Sequence, residues 1–300
     1  MIQERLKALR AEMEKRGITV YVVPTADFHE SEYVGDHFKA RKFITGFTGS
    51  AGTAVITLDE AGLWTDGRYF VQAENQLKDS TVTLYRMGEE GVPTVDEFVK
   101  DRLKEGGCLG FDGRVVNGTW GGKLEKIAAE KNVSMHVTED LIDLIWEDRP
   151  ALSKQPLFIL EEKYSGKSTA DKIGDLRKAM KENGADVHIL TSLYDIAWLL
   201  NIRGNDIDYV PVVLSYLVLN ETECIWFLQE EVVDDKIRAY LEENHITTKP
   251  YDAIYDYVPE IPADAVVLMN RGTVNYRIVN SLDKAIKVVD KPNPTELMKA

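Results

Sequence analysis

The chain is short of several things, and each shortage excludes a class of function. Only two cysteines occur in 300 residues, Cys108 and Cys224, far apart and outside any CxxC spacing. That excludes a disulfide framework and a cysteine-based zinc site, and it fits a reducing compartment. There are five histidines, and none stands in an HxxH, HExxH or HxH pattern. No apolar run approaches the ~18 to 20 residues that cross a bilayer. The opening Met1-Ile2-Gln3-Glu4-Arg5 mixes both charge signs and has no apolar stretch of signal-peptide type. Basic residues are outnumbered, 36 Lys+Arg against 50 Asp+Glu, for a net charge of −14. Such a chain repels phosphate backbones and anionic lipid, so nucleic-acid and membrane binding are not expected. A cytoplasmic protein is predicted.

What remains is ordinary globular material, 44% hydrophobic and 29% charged. At ~150 residues per domain, the length predicts two domains. A chain of this size buries roughly three quarters of its unfolded surface and needs no staple.

Ile2, Leu6, Leu9 and Met13 recur at helical spacing, and Gly17 is suited to the left-handed stop, which predicts a helix over 2–16. A β-branched and aromatic run from Ile18 to Val23 predicts a strand ending at Pro24. Residues 53–58 and 63–64 read as a hairpin, 68–77 as a helix and 82–86 as a strand. A helix over 94–103 follows, with Thr94 and Glu97 as a capping box. Residues 108–111 read as a strand and 118–131 as a helix. The stretch 147–156 holds two prolines among polar residues, which marks a domain boundary.

The second half restarts the first. Leu9, Arg10, Met13 and Gly17 reappear at a constant offset as Leu176, Arg177, Met180 and Gly184, and the strand 20–23 is echoed at 187–190. A later hairpin, 212–219 with 224–228, echoes the first. Duplication of one α/β unit is predicted, each copy with a mixed sheet, because hairpin strands pair antiparallel and helix-linked strands can pair parallel. A helix over 195–203 capped at Gly204 is also predicted. At the end, Asn293, Pro294 and Glu296 have the spacing of a helix start.

Motif chemistry is sparse. His29 and His37 share a region with Glu30, Glu32 and Asp36, but a solvated polar loop accounts for them better than a metal cluster does. Gly46-Phe-Thr-Gly49-Ser-Ala-Gly52 has GxxGxxG spacing, lacks a following Lys-Ser/Thr and precedes a strand, so a tight turn is preferred over nucleotide binding. Ser50 lies in GSAG rather than GxSxG, with no histidine readable as its base. His188 sits inside an apolar strand and reads as a core residue. Asp206 and Asp208 read as a polar loop. Trp64-Thr-Asp66-Gly-Arg68-Tyr69-Phe70 differs from all of these. It crowds aromatics, an acid and a base into a strand-to-helix turn, where Asp66 can cap the helix and Arg68 can offer a bidentate fork outward. A purely structural Arg68–Asp66 pair is the alternative.

Five stretches together carry a resemblance: SEY at 31–33, FITGFTGSAGTAVI at 43–56, WTDGRYFVQAENQL at 64–77, IWEDRP at 145–150 and DIAWLLNIRGNDIDYVPVVLSY at 195–216. They resemble the long, three-domain cytosolic aminopeptidases P, the Xaa-Pro aminopeptidases of the creatinase/prolidase/methionine-aminopeptidase superfamily. The resemblance implies two similar creatinase N-terminal-like, ribonuclease-H-like domains, each a mixed β-sheet flanked by helices, at 1–150 and 151–288. Residues 289–300 then look like a linker and the entry to a "pita-bread" catalytic domain that this chain lacks. Two divalent metal ions, usually Mn²⁺, would be held there by two Asp, one His and two Glu, none of which maps here. This chain is thus expected to hold no catalytic residue, metal ligand or cofactor and to be inactive alone. Its implied partners are that catalytic domain, short proline-containing peptides and, in the full-length protein, a second copy. Arg68 matches the position where related enzymes place an arginine near bound peptide, and is the one substrate-binding residue carried over. Trp64 and Tyr69 are candidates for the same surface. The competing expectation is a free-standing interaction or oligomerisation module.

Overall fold

The computed structural model describes residues 1–299. It divides into two units, Met1–Phe28 with Asp36–Ala151, and His29–Gly35 with the residues from Leu152 onward.

In the first unit the elements run α1 (Ile2–Lys15), β1 (Val20–Pro24), α2 (Ala40–Thr45), β2 (Thr53–Thr57), β3 (Ala61–Thr65), α3 (Phe70–Leu77), β4 (Thr83–Arg86), α4 (Val95–Arg102), β5 (Cys108–Phe111), α5 (Gly118–Glu130) and β6 (Ser134–His136). The strands form one sheet in the order β4-β3-β2-β1-β5-β6. The β1–β2 and β2–β3 pairs are antiparallel; β3–β4, β1–β5 and β5–β6 are parallel. Leu6, Leu9 and Met13 are the buried face of α1, and they join Ile18, Tyr21, Val23, Ala54, Ile56 and Leu63 in one core.

In the second unit the elements are β7 (Phe158–Ile159), α6 (Glu162–Ser165), α7 (Thr169–Glu182), β8 (Val187–Leu190), α8 (Leu193–Leu200), β9 (Ile202–Arg203), β10 (Ser215–Asn220), β11 (Cys224–Leu228), α9 (Asp235–Glu243), β12 (Thr247–Pro250), α10 (Ile254–Tyr257), β13 (Val266–Met269), α11 (Tyr276–Ser281), β14 (Lys287–Asp290) and α12 (Pro294–Met298). Its main sheet is ordered β12-β11-β10-β8-β13-β14, with the same sequence of parallel and antiparallel pairs as the first. β7 and β9 make a separate two-stranded ribbon.

The repeat extends to individual bonds. Gly17 and Gly184 both have positive φ, 67° and 63°, and stop α1 and α7. The next residue then closes back on the helix, Ile18 N–H to Met13 O at 2.9 Å and Ala185 N–H to Met180 O at 3.0 Å. Arg10 Nε donates to Thr57 O at 2.9 Å, and its echo Arg177 donates to Asn220 O at 3.0 Å. Each arginine thus ties the first helix to the far end of the strand at the hairpin turn. Helix starts are capped in both units by side chains of the preferred kind, Thr94, Asn117, Ser168, Ser192, Asp234 and Asn275. Each contributes about 1 kcal/mol. Thr94 and Glu97 complete their capping box.

Two helix ends differ from the sequence expectation. α3 starts at Phe70 rather than 68, because Asp66 accepts the Arg68 N–H in a turn that comes before the helix. α8 runs from Leu193 to Leu200 and is capped by Asn201, not Gly204, so that 202–203 form strand β9 rather than the last turn of a helix over 195–203. Asn201 takes the left-handed conformation at φ 51°, which asparagine tolerates. Its Nδ2 donates to Lys167 O at 2.9 Å and its Oδ1 accepts from Lys172 Nζ at 2.6 Å.

Lys172 is itself buried. Its ammonium also donates to Trp198 O at 2.8 Å and lies 4.4 Å from the Trp198 ring centre. It neutralises the carbonyl end of α8. Burial lowers its pKa to about 8. Below pH 8 the folded protein bears the full cost of burying the ammonium. Between pH 8 and the usual lysine value of about 10.4, the unfolded chain keeps a proton that the folded chain has lost, so stability rises with pH across that window. Urea unfolding at pH 7, 9 and 10.5 is therefore expected to show wild type gaining on Lys172→Met as pH rises. A pH-independent difference would contradict the assignment.

Candidate functional site

The turn that follows β3 is built from beneath. Arg41, on α2, is only 3% exposed. Its guanidinium donates to Phe47 O at 2.6 Å, to Gly49 O and to Thr25 Oγ1 at 2.9 Å, and lies 4.7 Å from the Phe47 ring centre. These partners are carbonyls, a hydroxyl and a ring. Burial lowers the Arg41 pKa to about 10, so the group stays charged at neutral pH. It satisfies backbone oxygens in a loop that cannot join the sheet. The glycine-rich stretch 46–52 is therefore a loop wrapped round a buried cation. Gly46 leaves α2 with φ 77°. A Cβ at Gly49 would fall 2.2 Å from the Phe47 ring.

On this base, Ser50 Oγ lies 2.6 Å from Tyr69 Oη, and Thr48 Oγ1 accepts from the side-chain amides of Gln72 and Gln76 at 2.9 and 2.8 Å. Next to Tyr69, Arg68 is 71% exposed. Its Nε donates to Asp66 Oδ1 at 2.8 Å and its Nη2 to Asp66 Oδ2 at 2.9 Å. The Arg68 backbone N–H donates to the same Asp66 Oδ1 at 3.1 Å. The Tyr69 ring lies 5.2 Å from the guanidinium carbon. The Arg68 side-chain hydrogen bonds lower the Asp66 pKa to about 2, so the carboxylate is ionised throughout the neutral range.

Of the sequence candidates, the structure brings Arg68, Asp66, Tyr69 and Ser50 together and removes Trp64. Trp64 is 0% exposed, stacks on Tyr85 at 4.1 Å and donates from Nε1 to Pro93 O at 2.8 Å. It is a core residue because every position of β3 is buried, so a side chain on this strand does not reach the surface where Arg68 stands. Arg41, which supports the whole loop, was not singled out in the sequence. It stands in a basic run, Lys39-Ala-Arg41-Lys42, and nothing local sets it apart from the lysines beside it.

The tripeptide Asp-Gly-Arg occurs a second time, at 112–114. There the Arg114 N–H and Nε donate to Asp112 Oδ1 at 2.9 and 3.0 Å, and Nη2 donates to Oδ2 at 3.0 Å. The bond pattern of the first copy is reproduced, but this arginine is only 23% exposed and lies over Phe28 at 4.4 Å.

The other motifs fold into supports. Arg149 of IWEDRP donates to Asp140 at 2.6 Å, Asp143 at 3.1 Å and His37 O at 2.9 Å. Arg203 donates to the carbonyls of Ala197 and Ile202. Asp206 is buried rather than a solvated loop residue; it accepts Leu214 N–H at 2.9 Å and Gln155 N–H at 3.1 Å, and burial raises its pKa. His188 is a fully buried core histidine, with Nδ1 2.9 Å from Leu268 O, and burial lowers its pKa to about 4. His29 is buried between Thr191 O at 3.1 Å and Tyr251 Oη at 2.6 Å, while His37 Nδ1 lies 2.8 Å from Pro150 O. Among the described residues, no three His, Cys, Asp or Glu side chains converge as a metal site would require. No helix among them is long and apolar enough to cross a membrane.

A twice-repeated α/β unit, with the same strand order and pairing in each mixed sheet, is the class that this fold defines. The sequence matches the Creatinase/Prolidase N-terminal domain family twice, over residues 5–145 and 148–300, and the chain belongs to that family. It is 42% identical over 290 residues to a probable Xaa-Pro aminopeptidase P of Sordaria macrospora, covering 95% of this chain and 47% of that one. The Neurospora crassa counterpart is 39% identical, with 95% and 42% covered. The crystal structure of X-prolyl aminopeptidase from Caenorhabditis elegans, described as a cytosolic enzyme with a dinuclear active site, superposes with a TM-score of 0.91 at 30% identity, over 99% of this chain and 52% of that one. The chain thus spans about half the length of these relatives.

Arg41→Gln, which removes the cation and leaves a shorter polar side chain, is expected to destabilise the first unit by on the order of 2–4 kcal/mol, since buried acceptors lose charge-assisted partners. Urea unfolding checks this; a loss below about 0.5 kcal/mol would mean that the loop holds itself.

Proposed function

We propose that this chain is the non-catalytic N-terminal portion of a metal-dependent Xaa-Pro aminopeptidase, which releases the first residue from peptides with proline second. Its two units supply contacts to a catalytic domain, and the Arg68 turn supplies part of the wall along which substrate enters. The identity to Xaa-Pro aminopeptidases along 95% of the chain supports the assignment. For the site, the observation that carries it is a guanidinium that stands 71% exposed although two hydrogen bonds to Asp66 fix its orientation, with a third from the Arg68 backbone N–H to the same carboxylate. A clamp on the peptide chain keeps the scissile carbonyl in place, which is how a residue away from the reacting atoms raises rate.

The hydrolytic chemistry would belong to two divalent metal ions, Mn²⁺ in this reading, held outside these residues; among the described residues no three His, Cys, Asp or Glu side chains converge to hold them. The full-length protein is proposed to be a cytoplasmic homodimer. The chain alone, given an Xaa-Pro peptide and Mn²⁺, is expected to show no turnover, and the full-length protein to cleave. In the latter, Arg68→Ala is expected to lower kcat/KM by roughly 10- to 100-fold, the equivalent of one charge-assisted hydrogen bond, with the thermal midpoint unchanged. Turnover by the chain alone, or unaltered kinetics in the variant, would refute the corresponding part.

A further inference from the structure

Resting on the reading of Arg68 given above, the geometry also specifies what kind of group the arginine takes. A guanidinium has five N–H donors. Asp66 occupies Nε–H and one hydrogen of Nη2, the inner edge of the fork. The outer edge, both Nη1 hydrogens and the second of Nη2, faces away from that carboxylate. The same Asp-Gly-Arg lock at 112–114 shows that this arrangement is intrinsic to the tripeptide and needs no bound ligand. What differs is presentation: Arg114 is largely covered, whereas Arg68 projects. The hydroxyls of Ser50 and Tyr69 are paired with each other at 2.6 Å.

We propose that Asp66 is a positioning residue, which holds the Arg68 fork side-on and cancels its net charge, so that the outer edge binds a neutral main-chain carbonyl of a peptide rather than a free carboxylate. An ion pair offers hydrogen-bond donors without the monopole that would favour an anion. A peptide that continues past the arginine then binds as well as one that ends there. Without Asp66, the bare cation would favour a chain terminus.

The test uses proline-second tri-, tetra- and pentapeptides, each as the free acid and as the C-terminal amide, with the full-length enzyme. Wild type is expected to have KM values for acid and amide within about twofold at every length. Asp66→Asn, an isosteric surface change, is expected to raise the KM of the amides several-fold and to create a preference for the free acid of about tenfold at one length, with kcat little changed. Arg68→Ala is expected to raise KM for both forms equally. A strong acid preference in wild type, or no new preference in Asp66→Asn while Arg68→Ala still impairs binding, would overturn the role of Asp66. No effect of Arg68→Ala would instead overturn the substrate role on which it rests. In the 300-residue chain, Arg68 Nε–H exchange with solvent, followed by ¹⁵N NMR, is expected to be slowed and to accelerate in Asp66→Asn. Equal rates in both would contradict the lock.

Discussion

The buried guanidinium of Arg41 is the interaction on which the rest of the first unit's site depends. A loop between a helix end and a sheet strand leaves carbonyl oxygens that no ladder can pair. Arg41 satisfies two of them and a threonine hydroxyl from below, and so fixes the floor on which Ser50, Tyr69 and Arg68 stand. Burying a cation is unfavourable, and its lowered pKa records that. The arrangement persists because removing the charge would strand the acceptors.

The second unit solves the same problem with different residues. There Lys172 and Arg203 meet the carbonyls of Trp198, Ala197 and Ile202 at the end of α8, and Asn201 supplies the left-handed step. Sheet order and pair direction are identical in the two units, and so is the Arg10–Arg177 bond to the hairpin end. Between strand and strand the copies part company. One keeps a short glycine-rich loop that leads to an exposed arginine; the other inserts a longer loop braced by buried Asp206. The duplicated scaffold carries the conserved load, and the connecting loops carry the difference.

Much of this was legible in the sequence because it rests on local rules. Helical spacing with Gly17, the Thr94–Glu97 capping box, the apolar run at 187–190 and the constant-offset repeat all state near-neighbour physics, and each is found where those rules put it. What was not legible depends on long-range partners. Arg41 looks like any surface arginine until the loop folds over it. Asp206 looks solvated until Leu214 and Gln155 close on it. Trp64 is two residues from Asp66 in sequence, yet it is fully enclosed in a strand buried along its whole length. The end of α8 was misplaced because a glycine is the commoner stop, and only the Lys167 and Lys172 contacts make Asn201 the better one.

The most direct measurement is a crystal structure of the full-length enzyme with a non-hydrolysable proline-second peptide bound. A main-chain carbonyl oxygen about 3 Å from the outer edge of Arg68, with Asp66 still on its inner edge, is the expected result. A bound peptide that leaves Arg68 in solvent, with no peptide atom in hydrogen-bond reach, would contradict a substrate role for this turn.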